Sequence, residues 1–457
     1  MQSKIVIYEN VSLKNALTYF ELKVIIIKKG DIMENIYDSA EYKRSRKAYI
    51  VQCTAEYFVS ILIADAFLAK LLSNIGVSDA LTGIISSFIS FAFMFQLLSI
   101  GLMKRMKSVK KTVILFDTLS QLFFMSVYLV VFLPVSQSVK TVLIMAGILF
   151  GYFGMYLIYS IYFKWANSYV SPDKRGEYSA VKEMISLFTG IIFTLGIGFV
   201  IDKYESIGNI HGGFLFISVT MLLLNVINFI SLMSIKNGQV QSEGHSVRDI
   251  IGNTLKNKNF NSVVFLTVLW EMARYFTIGF MGVYKTKELA LTVGTVQIIN
   301  MAGNLARLVV SKPFGRYSDK KSFAKGFNLA FLIAGIGFLI NIFTTPESVW
   351  CVVVFTVLYA VSMAGTNQNS YNIIYSYVKS DYIVEAMSVK NCIGGLMGFF
   401  ASIIGGKILN AVNGAGNTIL GMHVYGQQVL SLISLIFVVA AMAYNRFVLY
   451  KAKVIKQ

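Results

Sequence analysis

Ionisable and amide side chains inside long apolar stretches are the residues of this 457-residue chain with chemistry to do. A charged group at the centre of a membrane helix costs about 2.5–3.5 kcal/mol on insertion scales, so each needs a partner or a wet cavity. Glu56 lies about 15 Å beyond Arg46 at ~1.5 Å per residue, and Glu271 stands in a similar apolar stretch with Arg274 one turn later. A carboxylate so placed carries a proton when desolvation and a nearby cation or solute pull its proton affinity in opposite directions. Glu56 and Glu271 fit that role. An ion pair with Arg274 would instead hold Glu271 charged and make it structural. Asp65 is the third proton-coupling candidate, but the helical period puts it on the face opposite Glu56, so the two cannot enter one cavity. A contact with another helix or an external gate competes with proton coupling for it.

A second group of residues has the chemistry to hold a solute. Gln297, Asn300, Asn304 and Arg307 fall at spacings of three, four and three, one polar stripe on one helical face that should avoid lipid. Arg307 suits an anionic solute or a pair with Glu271; Arg274 joins the cavity candidates, and interhelical hydrogen bonding is the plain alternative for the stripe. Asn367, Gln368, Asn369 and Asn372, with Thr366, form the cluster best suited to orienting a polar ligand. Tyr152, Tyr156 and Tyr159 share a face that suits a ring-containing solute or ordinary helix packing. Asp117 and Lys164 fall toward helix ends, where snorkelling and local pairing suffice. Cys53, Cys351 and Cys392 lack metal-ligand spacing, so neither metal nor cofactor is expected. Motifs of metalloproteases, serine hydrolases and P-loop enzymes are missing, and His211, His245 and His423 fall in loops or at a span start, so no catalytic residue is assigned.

The elements that must position these groups follow from composition. Of all residues 56% are hydrophobic and 14% charged, far from a soluble domain. Apolar runs occur near 48–72, 79–103, 112–134, 139–163, 178–201, 213–235, 261–284, 293–312, 323–344, 348–372, 385–410 and 423–449, each long enough to cross a hydrocarbon core of about 30 Å. The expectation is an all-α polytopic membrane protein of about twelve transmembrane helices, its lipid partner the bilayer. The net charge of +18 does not point to nucleic acid, because the cations gather on alternate loops. Lys104, Arg105, Lys107, Lys110 and Lys111 follow span 2, and Lys312, Arg316, Lys320, Lys321 and Lys325 surround the turn after span 8. By the positive-inside rule both termini face the cytoplasm, in the inner membrane. The domains expected are a cytoplasmic segment 1–47, a six-helix half 48–235, a linker 236–260, a second half 261–450 and a tail 451–457. Residues 28–33 can be encoded by AAA AAA GGA GAT ATA ATG, which carries a ribosome-binding sequence, so translation is expected to start at Met33, with an amphipathic extension as the alternative for 1–32.

The halves repeat. A shift of 208 superposes Tyr169-Val170 on Tyr377-Val378, Asp173 on Asp381, Glu177 on Glu385, Val181-Lys182 on Val389-Lys390, Gly190 on Gly398 and Gly198 on Gly406. A shift of 215 puts Glu56 on Glu271 and Lys70 on Lys285, and one of 214 puts Gly101 on Gly315. Six spans between equivalent points preserve orientation, so these are two parallel repeats related by an axis along the membrane normal. Glycines at 190, 196 and 198 and at 394, 395, 398, 405 and 406 should let helices approach closely.

Gly315-Arg316-Tyr317-Ser318-Asp319-Lys320, together with Pro172-Asp173-Lys174-Arg175-Gly176, makes the chain resemble the major facilitator superfamily, whose two six-helix halves carry a glycine, acid and base pattern after spans 2 and 8. The first copy has Arg105 where the acid belongs. The resemblance implies a secondary transporter, with substrate between the halves and spans 1, 4, 7 and 10 lining the cavity. It also implies a cytoplasmic gate in which Asp319 meets Arg175, while Arg105 meets Asp381 and Glu385; Gly315 and Lys320 belong to the same loop. The expected function is transport of a small organic solute by alternating access, coupled to protons, with one chain sufficient. A non-transporting sensor or assembly factor is the alternative, an intramembrane enzyme the remotest.

Overall fold

The computed structural model describes residues 37–171, 175–238, 256–377, 383–419 and 421–451. Among these, eleven helical runs, from Asp79–Ser99 to Gly426–Lys451, are long and apolar enough to cross a membrane. The remaining span is broken, as α1 (Ala40–Leu62) and α2 (Asp65–Asn74). Asp65 opens α2 with φ 44°, a left-handed value that costs energy for any residue with a Cβ. Helix α1 starts at Ala40, inside the segment expected to precede the first span, because Ser39 caps it there and its first turns are polar. The proposed start at Met33 and most of the linker lie outside the described residues.

Span 2 is also interrupted, as α3 (Asp79–Ser86), α4 (Phe88–Ala92), a 3₁₀ turn (Phe93–Phe95) and α5 (Gln96–Arg105). Irregular backbone at membrane depth needs protein partners. Tyr128 donates its hydroxyl to the Leu62 carbonyl at the first break, and Ser87 bonds the Gly83 carbonyl at 3.0 Å and the Ser402 hydroxyl at 2.7 Å at the second. The N-terminal half continues with α6 (Val109–Leu129), α7 (Gln137–Asn167), α8 (Arg175–Ser206) and α9 (Ile210–Ser234). The C-terminal half comprises α10 (Lys258–Val283, prolonged by a π turn Tyr284–Glu288), α11 (Val293–Lys321), α12 (Phe323–Asn341), α13 (Trp350–Tyr375), α14 (Ile383–Gly414) and α15 (Gly426–Phe447). A two-residue hairpin, β1 (Thr418–Ile419) with β2 (Met422–His423), joins the last two helices.

Each half has its own core. Phe67, Phe124, Tyr128 and Phe214 fill the first, and Phe260, Trp270, Phe331 and Phe355 the second. Large apolar side chains such as Phe188, Val309 and Phe447 stand exposed outside, as a lipid-facing surface requires. The halves meet along α8 with α11 and along span 2 with α14. Small residues make that seam: a Cβ on Gly198 would lie 3.2 Å from Gly294 Cα, and one on Gly395 would lie 2.3 Å from the Ser90 carbonyl oxygen. Gly196 departs from the expectation, since nothing stands within 4 Å of it.

The two ends of the seam differ. At one end α2 and α3 pack against α10, whereas at the other, among the described residues, α7 and α13 are not a packed pair. The first is the Lys285 end and the second the Asp319 end.

Candidate functional site

At the Lys285 end the π turn rotates Lys285 out of the loop and into the seam, where its side chain is 5% exposed. Its ammonium lies 3.3 Å from Asp65 Oδ2, which also accepts from Asn300 Nδ2 at 2.8 Å. Close approach makes this contact possible, because a Cβ on Gly282 would sit 2.6 Å from the Asp65 carbonyl oxygen. Lys287 with Asp79 at 2.7 Å, and the Gly294 amide donating to Asp202 at 2.8 Å, add two more bridges between the halves. Asp65 is thus a cross-half contact near one end, on a different part of the fold from Glu56.

Nearer the Asp319 end, four helices of the N-terminal half enclose a cavity of about 110 Å³. Glu56 on α1, Asp117 on α6 and Lys182 on α8 face it, with Tyr159 and Tyr162 of α7 among its walls. Glu56 accepts from Gln52 Nε2 at 3.1 Å, and Tyr162 in turn donates to Gln52, which fixes the amide. Asp117 accepts from Asn228 of α9. Lys182 places its ammonium 4.9 Å from the centroid of the Tyr49 ring and 3.4 Å from that hydroxyl. Among the described residues no cation comes within ion-pair distance of Glu56 or Asp117. Asp117 corrects the expectation of a snorkelling residue: it is 3% exposed, because α9 supplies an amide that only tertiary packing brings there. The side chain of Lys164 lies outside the described residues.

The C-terminal half holds the counterpart. Glu271 is 3.6 Å from Arg274, whose guanidinium lies 5.0 Å from the Tyr275 ring centroid, with Tyr359 of α13 beside it. Lys390 of α14 is an electrostatic neighbour of Glu271 and donates to Ser370. Lys182 and Lys390 were legible only as repeat matches in the sequence; the structure puts each beside the carboxylate of its own half. Both halves therefore carry a carboxylate on their first span and a lysine on their fifth. To this the first half adds Asp117 and the second Arg274.

The polar stripe of α11 faces the seam. Gln297 bonds Asn300 at 3.2 Å, and Asn304 is half-buried. Arg307 pairs with Glu183 of α8 at 3.1 Å and not with Glu271, because at this level α11 runs against α8. On α13, Gln368 donates to the Ser311 carbonyl at 3.1 Å, and Asn369 is fully buried toward Gly326 of α12, so both turn into their own half. Asn367 and Asn372 are half-buried. Tyr152, Tyr156 and Tyr159 form a row with ring centroids 6.2 Å and 5.9 Å apart; the first two are buried and Tyr159 is exposed. Of the gate candidates, Arg105, Asp319 and Lys320 are exposed and Gly315 lies 3.1 Å, counted from a notional Cβ, from Gln368 Oε1. Asp381 and the side chains of Arg175 and Glu385 lie outside the described residues.

Two repeated bundles of membrane-spanning helices, each with ionisable side chains held within its own half, define a polytopic membrane transporter rather than an enzyme. The chain belongs to the Major Facilitator Superfamily, whose sequence profile matches residues 48–402. Its fold is similar to that of an auto-inhibited POT family peptide transporter (TM-score 0.68, 12% identity, covering 91% of this chain and 98% of that one). It is also similar to a point mutant of the nucleoside transporter NupG (0.67, 11%, 88% and 99%). A third likeness is to a bacterial homologue of the human lysosomal transporter Spinster in an inward-facing, unoccupied conformation (0.65, 14%, 90% and 97%). No curated protein sequence matches the chain.

Proposed function

We propose that the chain is a secondary active transporter that moves a small organic solute across the cytoplasmic membrane by alternating access, coupled to protons through Glu56. The observation that carries this reading is the Glu56 cavity, where two carboxylates face one space with a single lysine and no close ion pair among the described residues. A carboxylate in low dielectric must take a proton or a countercharge, so its protonation responds to what enters the cavity. Glu271 already has Arg274 at 3.6 Å and serves the structure of its half.

The seam supports alternating access. Asp65, Lys285 and Asn300 hold one end together, and among the described residues α7 and α13 are not a packed pair. By the placement of basic loops the Asp319 end faces the cytoplasm, as do both termini, so this arrangement is inward-facing. One chain holds both halves, and a monomer suffices. The test is transport of a solute panel in proteoliposomes under an imposed proton gradient, comparing the parent with Glu56→Gln. Uphill accumulation that survives the substitution removes Glu56 from coupling. No movement of any solute in either direction favours a sensor.

A further inference from the structure

The Glu56 cavity has a charge balance that restricts what it can hold. Glu56 and Asp117 bring two carboxylates, and among the described residues Lys182 brings the one ammonium facing the space. One negative charge is in excess when both acids are ionised. Each acid receives a single amide hydrogen bond, from Gln52 and Asn228 respectively, and the protein supplies no further donor to either among the described residues. The Lys182 ammonium is drawn instead to the face of Tyr49.

The remaining walls are largely aromatic and apolar: Tyr159, Tyr162 and Phe163 with Met155 and Ile158 from α7, and Cys53 from α1. Such walls attract cations through the negative faces of their rings, and more strongly where water is scarce. An anion would add to the excess charge, and a neutral solute would leave it to be met by a proton alone. At about 110 Å³ the cavity is well below the roughly 300–1,000 Å³ of drug-sized sites, so the group it takes is small.

We infer that the Glu56 cavity binds a small organic monocation, an alkylammonium or quaternary ammonium group, with its charge set between Glu56, Asp117 and the aromatic faces of α7. This rests on the transport reading of the same site and names the substrate class. Tyr49 already holds the tethered ammonium of Lys182, so the walls accept a charged nitrogen in the resting arrangement. Proton and organic cation compensate the same negative charge and therefore exclude one another. The charged groups that set this competition are Glu56, Asp117 and Lys182, with the Cys53 thiol and the hydroxyls of Tyr49, Tyr159 and Tyr162 around them.

The test is equilibrium binding to the purified full-length protein, with no gradient imposed. The probes are choline, n-butylammonium, butyrate and 3,3-dimethylbutan-1-ol, the last having the shape of choline with carbon in place of nitrogen. The expected result is that choline or n-butylammonium binds about tenfold or more tightly than the alcohol, as a charge-assisted contact would give. Glu56→Gln, which can still accept from Gln52, and Asp117→Asn, which can still accept from Asn228, should each weaken cation binding by about tenfold and leave the alcohol unchanged. The inference is overturned if the alcohol or butyrate binds as well as both cations. It is equally overturned if both variants, shown folded by thermal melting, bind cations like the parent. Cation affinity should fall on acidification, because protons compete for the same carboxylates. Glu56-dependent cation binding that ignores pH upholds the cation site and removes Glu56 from coupling. Lost accumulation in Glu56→Gln without any cation preference overturns this inference alone.

Discussion

Glu56 and Glu271 occupy equivalent points of the internal repeat, and each has the lysine of its fifth span nearby, Lys182 or Lys390. Their surroundings differ in one added charge. The first half contributes Asp117 from α6, the second Arg274 from the helix that carries Glu271 itself. With every group ionised, the described residues leave one cluster with an excess of negative charge and the other with an excess of positive charge. A repeat preserves where the backbone puts a carboxylate, while the charge available to it is set by the helices packed around it, and these have diverged. Lys70 and Lys285 make the same point at the opposite end: Lys70 pairs with Glu205 inside its own half, and Lys285 crosses the seam to Asp65.

The comparison is broken most directly at Glu56. Glu56→Gln should bring gradient-driven accumulation down to an inside-to-outside ratio of ~1, while counterflow exchange persists, because the amide keeps the hydrogen bond and cannot carry a proton. Radiolabelled solute uptake in proteoliposomes measures both. Glu271→Gln should act on stability, since it leaves Arg274 and Lys390 without their carboxylate. Removing one partner of a buried pair costs about 3–5 kcal/mol; with Arg274 a quarter exposed, about 1–3 kcal/mol is expected here, read as a lowered melting temperature. Restoration by the added change Arg274→Met would sharpen the assignment. If Glu271→Gln instead abolishes accumulation with an unchanged melting temperature, the two glutamates have exchanged roles.

Smaller effects distinguish the two ends of the seam. Asp65→Asn takes the countercharge from the nearly buried Lys285 ammonium, which keeps only the Asn300 Oδ1 contact at 3.3 Å, and should weaken closure of that end by about 1–2 kcal/mol, about five- to thirtyfold in the ratio of states. Spin-label distances between the ends of α2 and α10 report it, and an unaltered distribution would reduce the contact to a static one. Asp319→Asn should push the opposite way, by under about 1 kcal/mol, because Asp319 is exposed and its expected partner Arg175 counts only when the halves close there. Labels on the loops after spans 2 and 8 would show the shift toward the inward-open state, and identical distances would leave Asp319 a solvated loop charge.

The apolar spans, the repeat and the family are legible from the residues alone, because each is written in local composition or in order along the chain. Length and hydropathy force a helix wherever about 20 apolar residues meet lipid, whatever lies beside it. The same local reading found Glu56, Glu271 and Arg274, since an ionisable group in an apolar run is conspicuous without neighbours. It could not show which helix each group faces. The α1–α2 break at Asp65 needs the Tyr128 hydroxyl from another helix, and the burial of Asp117 needs Asn228 from α9. Arg307 lies nearest in composition to an anion site, yet the packing of α11 along α8 gives it to Glu183. Gln368 and Asn369 looked like one ligand-binding cluster and turn instead into their own half. Partners that are far apart in sequence are chosen by which faces two helices bury together, and that choice is made when the helices pack.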